Sequence, residues 1–187
     1  MKIGFGITGS FCTIPSIYKI IEKIVEDGHE VLPILSTTVA TMDTRATKSK
    51  EVIETLKRIT GKPPVVNLNQ AEVVGPSNII DVIVIAPATG TTISKLANAI
   101  SDSPITMTAK SLMRNNKPVV IGVSTNDGLG LNMTNIATLM NSKNVYFVPF
   151  GQDNFEKKPK SLVADFSKIL ETVEHALEGK QIQPLLI

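Results

Sequence analysis

The chain has 187 residues, 42% hydrophobic and 19% charged, with 19 basic against 17 acidic side chains, a formal net charge of +2 and one cysteine. A single cysteine excludes an internal disulfide scaffold and fits a reducing compartment, while balanced charge, 4% aromatics and no Trp exclude an electrostatic or stacking platform for nucleic acid. A chain of 187 residues reads as one domain, residues 1–187, that buries about 70% of its unfolded surface, and no apolar stretch approaches the ~20 residues of a membrane span.

Met1-Lys2-Ile3-Gly4 runs straight into a strand-like segment, without the basic stretch and apolar core of a secretory leader, so the expected compartment is the cytoplasm. Lys2 to Thr8 reads as a short buried strand. Thr13 to Asp27 carries Ile14, Ile17, Ile20, Ile21, Ile24 and Val25 at helical spacing, with Pro15 early and Gly28 just past the end. Val31 to Ser36 is the next strand. The Thr/Ser-rich stretch from Ser36 to Ser49 is too long for a tight connection and is expected to be functional or mobile. Ser49 to Thr60 is a helix stopped by Gly61. Ile79 to Ala86 is a β-branched run, expected to be a strand buried on both faces. Ser94 to Ile100 and Ile105 to Asn115 follow as helices. Val119 to Ser124 and Val145 to Phe150 are strands around a short helix near Asn135 to Met140. Ser161 to Leu177 is expected as a closing helix.

Strands alternating with helices imply right-handed βαβ units and a parallel sheet covered on both faces. Five or six strands are too few for an eight-stranded barrel. The expected fold is α/β, a doubly wound three-layer αβα sandwich.

Ligands of open α/β sheets bind beyond the carboxyl ends of the strands. Four exits lie there: Thr8-Gly9-Ser10-Phe11-Cys12-Thr13, Ser36-Thr37-Thr38, Pro87-Ala88-Thr89-Gly90-Thr91-Thr92, and Ser124-Thr125-Asn126-Asp127-Gly128. All carry small hydroxyl or glycine residues. Any one exit reads first as helix capping. Together, their backbone N–H groups, hydroxyls and helix N-termini suit a phosphate-bearing ligand.

Gly4-x-Gly6-x-x-Gly9 spells the dinucleotide fingerprint, but only three residues precede Gly4. Gly4 and Gly6 therefore fall inside the strand, where glycine marks close packing. The acidic residue that would meet a ribose is absent from Ser36-Thr37-Thr38, and Glu30 sits at the start of that strand. These features favour a mononucleotide over a dinucleotide. His29 and His175 lie away from the ligand edge, so no histidine base is expected there. Nothing has the spacing of a zinc or other metal site. Cys12 lies near a helix N-terminus that would activate a thiol, but reads first as a small buried hydrophobe. Lys157, Lys158 and Lys160 around Pro159 read as solvated surface, with an oligomer contact or an anion site as alternatives. Asp102 and Asp127 fall in edge loops, where each could orient a ligand or cap a turn.

These exits also carry a resemblance. A Gly-Ser turn after the first strand, Ser/Thr after the second and Ala86-Pro87-Ala88-Thr89-Gly90-Thr91-Thr92-Ile93-Ser94-Lys95-Leu96-Ala97 after the long apolar strand resemble the flavoprotein superfamily. That group includes the homo-oligomeric flavin-containing cysteine decarboxylases and the flavin prenyltransferases. Within it, Ser94-Lys95-Leu96-Ala97-Asn98-Ala99-Ile100-Ser101-Asp102-Ser103-Pro104, Ser124-Thr125-Asn126-Asp127-Gly128-Leu129-Gly130-Leu131-Asn132 and Pro149-Phe150-Gly151-Gln152-Asp153 resemble the B-type family of the dipicolinate synthases of spore-forming bacteria. The likeness runs from about Lys2 to the last helix.

The resemblance implies a flavodoxin-like, Rossmann-like fold, a trimer-based homo-oligomer and an FMN site. The FMN contacts fall on Gly9 and Ser10, on Thr37, on Thr89, Gly90, Thr91 and Thr92, and on Ser124, Thr125 and Asn126. It further implies NADP-linked oxidation of dihydrodipicolinate to pyridine-2,6-dicarboxylate during sporulation, in the mother-cell cytoplasm, with NADP held by the A-type partner of the same synthase. Two substrate carboxylates call for cations, and Lys95, Lys110 and Arg114 are the nearest candidates; Asp102, Asp127 and Lys95 are the candidates for catalytic groups. The decarboxylases have a histidine near the flavin and a Pro-x-Met-Asn motif where this chain reads Ser124-Thr125-Asn126-Asp127. The prenyltransferases have an arginine close to the position of Ser124, and this chain has none. A stand-alone FMN-dependent decarboxylase or prenyltransferase-like protein and a non-catalytic scaffold are the alternative readings. The apolar tail Pro184-Leu185-Leu186-Ile187 is expected to seek either a second copy or its own domain.

Overall fold

The computed structural model describes residues 1–45 and 47–187; Ala46, inside the Ser36–Ser49 connection, lies outside them. Strand β1 (Lys2–Ile7) is buried at every position but its first. Helix α1 (Ile14–Glu26) follows, burying Ile14, Ile17, Ile21 and Ile24 as one stripe; each fully buried isoleucine contributes about 1.5–3 kcal/mol relative to exposure. Then come β2 (Glu30–Leu35), α2 (Thr37–Thr41), α3 (Ser49–Thr60), α4 (Leu68–Val74) and β3 (Val82–Ala88). The second half contains α5 (Gly90–Ala97), α6 (Pro104–Arg114), β4 (Val119–Thr125), α7 (Asn132–Met140), β5 (Val145–Phe147), β6 (Phe150–Gln152), β7 (Leu162–Ala164) and α8 (Ile169–Leu177), the last entered through a 3-10 turn at Phe166–Lys168.

The seven-stranded sheet runs β2-β1-β3-β4-β7-β6, with β5 also pairing β4. One group of contacting helices contains α1 and α3, another α4, α5, α6 and α7, and α8 packs on β3, β4 and β5. Helices flank the sheet to give the three-layer α/β sandwich. The pairings β1·β2, β1·β3, β3·β4 and β4·β5 are parallel. The wholly parallel expectation needs correction at one end, because β4·β7 and β6·β7 are antiparallel. Leu162 and Ala164 are buried and Val163 is half-buried, a two-residue period too short to stand out within the apolar run of the expected closing helix. Asp165 then ends the strand, accepting from the Ser167 N–H at 3.0 Å to start the 3-10 turn.

Four further boundaries differ from expectation. The β3 strand starts at Val82, because Asn78 has φ 53 and Ile79 is exposed. Asp81 accepts from the Lys2 N–H at 2.8 Å, which ties that connection to the start of β1. Helix α5 begins at Gly90, four residues before Ser94, so Thr91 and Thr92 belong to its first turn. Ser36 and Asn67 cap the unexpected short helices α2 and α4, accepting from the N–H groups of Val39 and Gln70. The Val145–Phe150 segment divides into β5 and β6 around Val148 and Pro149.

Gly4 and Gly6 lie inside β1. A Cβ at Gly4 would stand 2.7 Å from Ile80 Cδ1, so a side chain there would push the Ile80 tip aside. The tail folds back on its own chain: Phe150 N–H donates to Leu185 O at 3.0 Å and Ile187 N–H to Phe150 O at 3.2 Å. Leu186 and Ile187 nevertheless remain exposed. Among the described residues, no helix is long and apolar enough to cross a membrane, and no group of three or more His, Cys, Asp or Glu is placed to hold a metal ion.

Candidate functional site

Hydroxyl groups stitch three strand exits together at the carboxyl edge of the sheet. Thr8 Oγ1, after β1, donates to Pro87 O at 2.5 Å and accepts from the Thr89 N–H at 3.0 Å. Ser10 Oγ lies 3.0 Å from Ser124 Oγ and 3.0 Å from Thr13 Oγ1. Thr89 Oγ1 lies 3.2 Å from Thr92 Oγ1. The bonds between exits join residues 79 to 114 positions apart, so the rim forms only when the parallel strands are in register.

The rim opens into a cleft of about 1150 Å3. Gly9, Ser10, Thr89, Gly90, Thr91, Lys95, Ser124, Thr125, Asn126 and Asp127 all line it. Thr37 and Thr92 line an adjoining hollow of about 460 Å3 with Asp102, and Gly9, Thr89, Thr91 and Lys95 border both spaces. Lys110 and Arg114 line neither; Lys110 Nζ instead donates to Ser101 Oγ at 3.3 Å. This removes them from the expected cations. His29 and His175 are also elsewhere, beside the N-terminal amine and the Glu171 carbonyl. Cys12 is exposed and lines the cleft, against its reading as a buried hydrophobe, because the turn after β1 projects it beyond the sheet edge.

Both acidic candidates have both carboxylate oxygens engaged. Asp127 accepts from Thr125 Oγ1 at 2.5 Å on Oδ1 and from Asn132 Nδ2 at 2.7 Å on Oδ2. Asn135 Nδ2 in turn donates to Asn132 Oδ1 at 2.8 Å. Asp102 receives Lys95 Nζ at 3.0 Å and 2.8 Å on its two oxygens. The start of α5 is pressed against the first of these networks. A Cβ at Gly90 would stand 2.6 Å from Asn132 Nδ2, 2.7 Å from Thr125 Oγ1 and 2.8 Å from Asp127 Oδ1. Only glycine lets the helix enter so close to that cluster.

The β6–β7 hairpin supplies a wall that sequence reasoning missed. Because β7 pairs antiparallel with the end of β4, Ser124 opposite Val163 and Thr125 opposite Leu162, Ser161, Leu162 and Val163 come to border the cleft with Asp153 and Lys158. Phe11, from the first exit, and Asn132, at the start of α7, also line the cleft. Lys158 Nζ donates to Asp153 Oδ2 at 2.8 Å. That hydrogen bond and the Asp153 charge, with a weaker contribution from Cys12, hold the Lys158 ammonium above the ordinary lysine range.

This architecture has relatives. The family model described as Flavoprotein matches residues 1–177. The B subunit of dipicolinate synthase from Bacillus subtilis (strain 168) is 46% identical over 186 residues, covering 100% of this chain and 93% of that protein. The crystal structure of the corresponding B subunit of dipicolinate synthase from Bacillus halodurans C superposes with TM-score 0.90 at 51% identity, over 99% of this chain and 95% of the other. The FMN-dependent cysteine decarboxylase SpaF shares the fold, with TM-score 0.69 at 20% identity over 94% of this chain and 97% of its own.

Proposed function

The chain belongs to the Flavoprotein family, and from that premise we propose that it is the B-type component of a dipicolinate synthase, acting with an A-type partner in the mother-cell cytoplasm. The observation that carries this reading is its full-length likeness to two such B-type proteins. The reaction oxidises dihydrodipicolinate to pyridine-2,6-dicarboxylate. The ring gives up a hydride to NADP and a proton to a base, and gains aromaticity.

The residues of the cleft fit a flavin mononucleotide by the chemistry of their donors. Ser10, Thr89, Thr91 and Ser124 offer hydroxyls, and Gly9 and Gly90 offer backbone beside the first turn of α5, a set that suits phosphate and ribityl oxygens. Thr37, at the adjoining hollow, extends the same set. When bound, the flavin would supply a planar ring able to accept a hydride. The chain's own residues hold and orient: the Thr8 and Ser10 bonds fix the rim before any ligand arrives, which is the preorganisation that binding and catalysis both need.

A base is harder to find on this chain. Asp102 and Asp127 are each committed through both oxygens, and no histidine lines the cleft. We therefore assign the base and the NADP site to the A-type partner, with this chain shaping the substrate pocket through its 89–95 and 124–130 loops. A titration tests the ligand assignment. Isolated chain should bind FMN and not NADP, and Ser10→Ala should weaken FMN about tenfold, the loss of one charge-assisted hydrogen bond of about 1.5 kcal/mol. Tight NADP binding, or an unchanged FMN affinity in the variant, would contradict it.

The exposed Leu131, Phe155, Leu186 and Ile187 support assembly into a trimer-based homo-oligomer. Light scattering at micromolar concentration should give at least three times the 20.1 kDa chain mass; a monomeric mass would refute the assembly.

A further inference from the structure

We propose that Lys158, on the loop joining β6 and β7, binds one carboxylate of the ring dicarboxylate by exchanging its Asp153 partner for that carboxylate. The inference rests on the dipicolinate reading and adds to it the residue that recognises the dianion. The charges in the cleft are few. Among the described lining residues the cations are Lys95 and Lys158, against the carboxylates of Asp127 and Asp153. The remaining donors are neutral hydroxyls and amides. A substrate with two negative charges needs at least one ammonium that can turn to it.

The two lysines differ in availability. Lys95 is gripped by both oxygens of Asp102, at 3.0 Å and 2.8 Å, and its side chain is 34% exposed. Lys158 meets a single oxygen of Asp153 at 2.8 Å, and its side chain is 60% exposed. An exposed, singly bonded ion pair contributes little net stability and is screened by salt. Exchanging one carboxylate for another keeps the charge-assisted hydrogen bond, so the step has little to overcome. Asp153 then acts as an internal stand-in for the substrate, holding the ammonium until a dianion competes for it.

Position supports the same assignment. Lys158 lines the same cleft as Ser10 and Cys12, which lie on the turn after β1. The two sides of the cleft differ in kind: the rim offers neutral donors, and the β6–β7 loop offers the exchangeable charge. Arginine at this position would keep the charge and add a bidentate fork.

The test uses the chain with its A-type partner for kinetics and the chain by itself for binding. Lys158→Met should raise KM for dihydrodipicolinate at least tenfold, and Lys158→Arg should return it to within about threefold of wild type. Asp153→Asn should lower KM, because it removes the competing carboxylate. Calorimetry of the isolated chain with dipicolinate should show the same order, with FMN affinity equal in all variants. An unchanged KM in Lys158→Met overturns the proposal. So does an Asp153→Asn variant impaired as much as Lys158→Met, which would mark the pair as a brace for the loop. Absence of turnover with wild-type chain and the A-type partner would count against the dipicolinate reading instead. Calorimetry then still decides Lys158, since equal dipicolinate binding by wild type and Lys158→Met overturns its role.

Discussion

Replacing Gly90 by alanine is expected to weaken FMN binding about a hundredfold and to lower stability by about 2 kcal/mol. The new Cβ would stand 2.6–2.8 Å from Asn132 Nδ2, Thr125 Oγ1 and Asp127 Oδ1, all closer than a real Cβ contact. None of the three can retreat freely. Asp127 is held by Thr125 at 2.5 Å and by Asn132 at 2.7 Å, and Asn132 is held by Asn135 at 2.8 Å. Either the network breaks or α5 moves outward. In both cases Thr89 and Thr91 leave the positions that face the cleft. Losing the hydrogen bonds of both threonines to a phosphate, about 1.5 kcal/mol each, costs a factor of about 10². The stability loss should appear as a fall in Tm of roughly 4–8 °C for a chain of this length. Thermal denaturation and FMN titration of the variant check both parts. Wild-type values for both would show that the α5 entry is looser than the geometry implies. Ser10→Ala offers the contrast: Ser10 is half-buried at the rim, so its loss should weaken binding about tenfold and leave Tm nearly unchanged.

The parallel core and the hydroxyl exits are legible in the sequence for a simple reason. Buried parallel strands are continuous apolar runs, and Lys2–Ile7, Glu30–Leu35, Val82–Ala88 and Val119–Thr125 each end at a Ser, Thr or Gly-rich turn. Their common direction sends those turns to one edge. Other features leave no such trace. The β6–β7 hairpin consists of two three-residue strands, too short for a period to be read, and its site residues come close only through antiparallel pairing with the end of β4. The α2 helix has five residues, and its threonines with the capping Ser36 resemble any polar loop. Partnering is equally hidden. Lys95 and Asp102, seven apart in the chain, form a bidentate pair, so a cation and a base that look available in the sequence neutralise each other in the fold. Lys158 reads first as solvated surface, with an oligomer contact or an anion site as alternatives, and the hairpin places it beside the cleft.

The proposed division of labour rests on that inventory. The chain offers a rim of mutually bonded hydroxyls, a cleft of about 1150 Å3 and an ammonium, Lys158, paired with one oxygen of Asp153, but its two candidate bases are occupied. Its Gly4 and Gly6 lie in a strand rather than a dinucleotide turn. On the proposed reading, aromatisation supplies the driving force, and what the two components must add is orientation of the nicotinamide against the ring and a proton acceptor. Neither component then completes the site by itself. The direct measurement is the initial rate of NADP-linked oxidation of dihydrodipicolinate with the A-type partner by itself, with this chain by itself and with both together. The expected result is no measurable rate for this chain, a slow or absent rate for its partner, and turnover for the mixture. Full turnover by the partner without this chain, or NADP-linked turnover by this chain without the partner, would contradict the assignment.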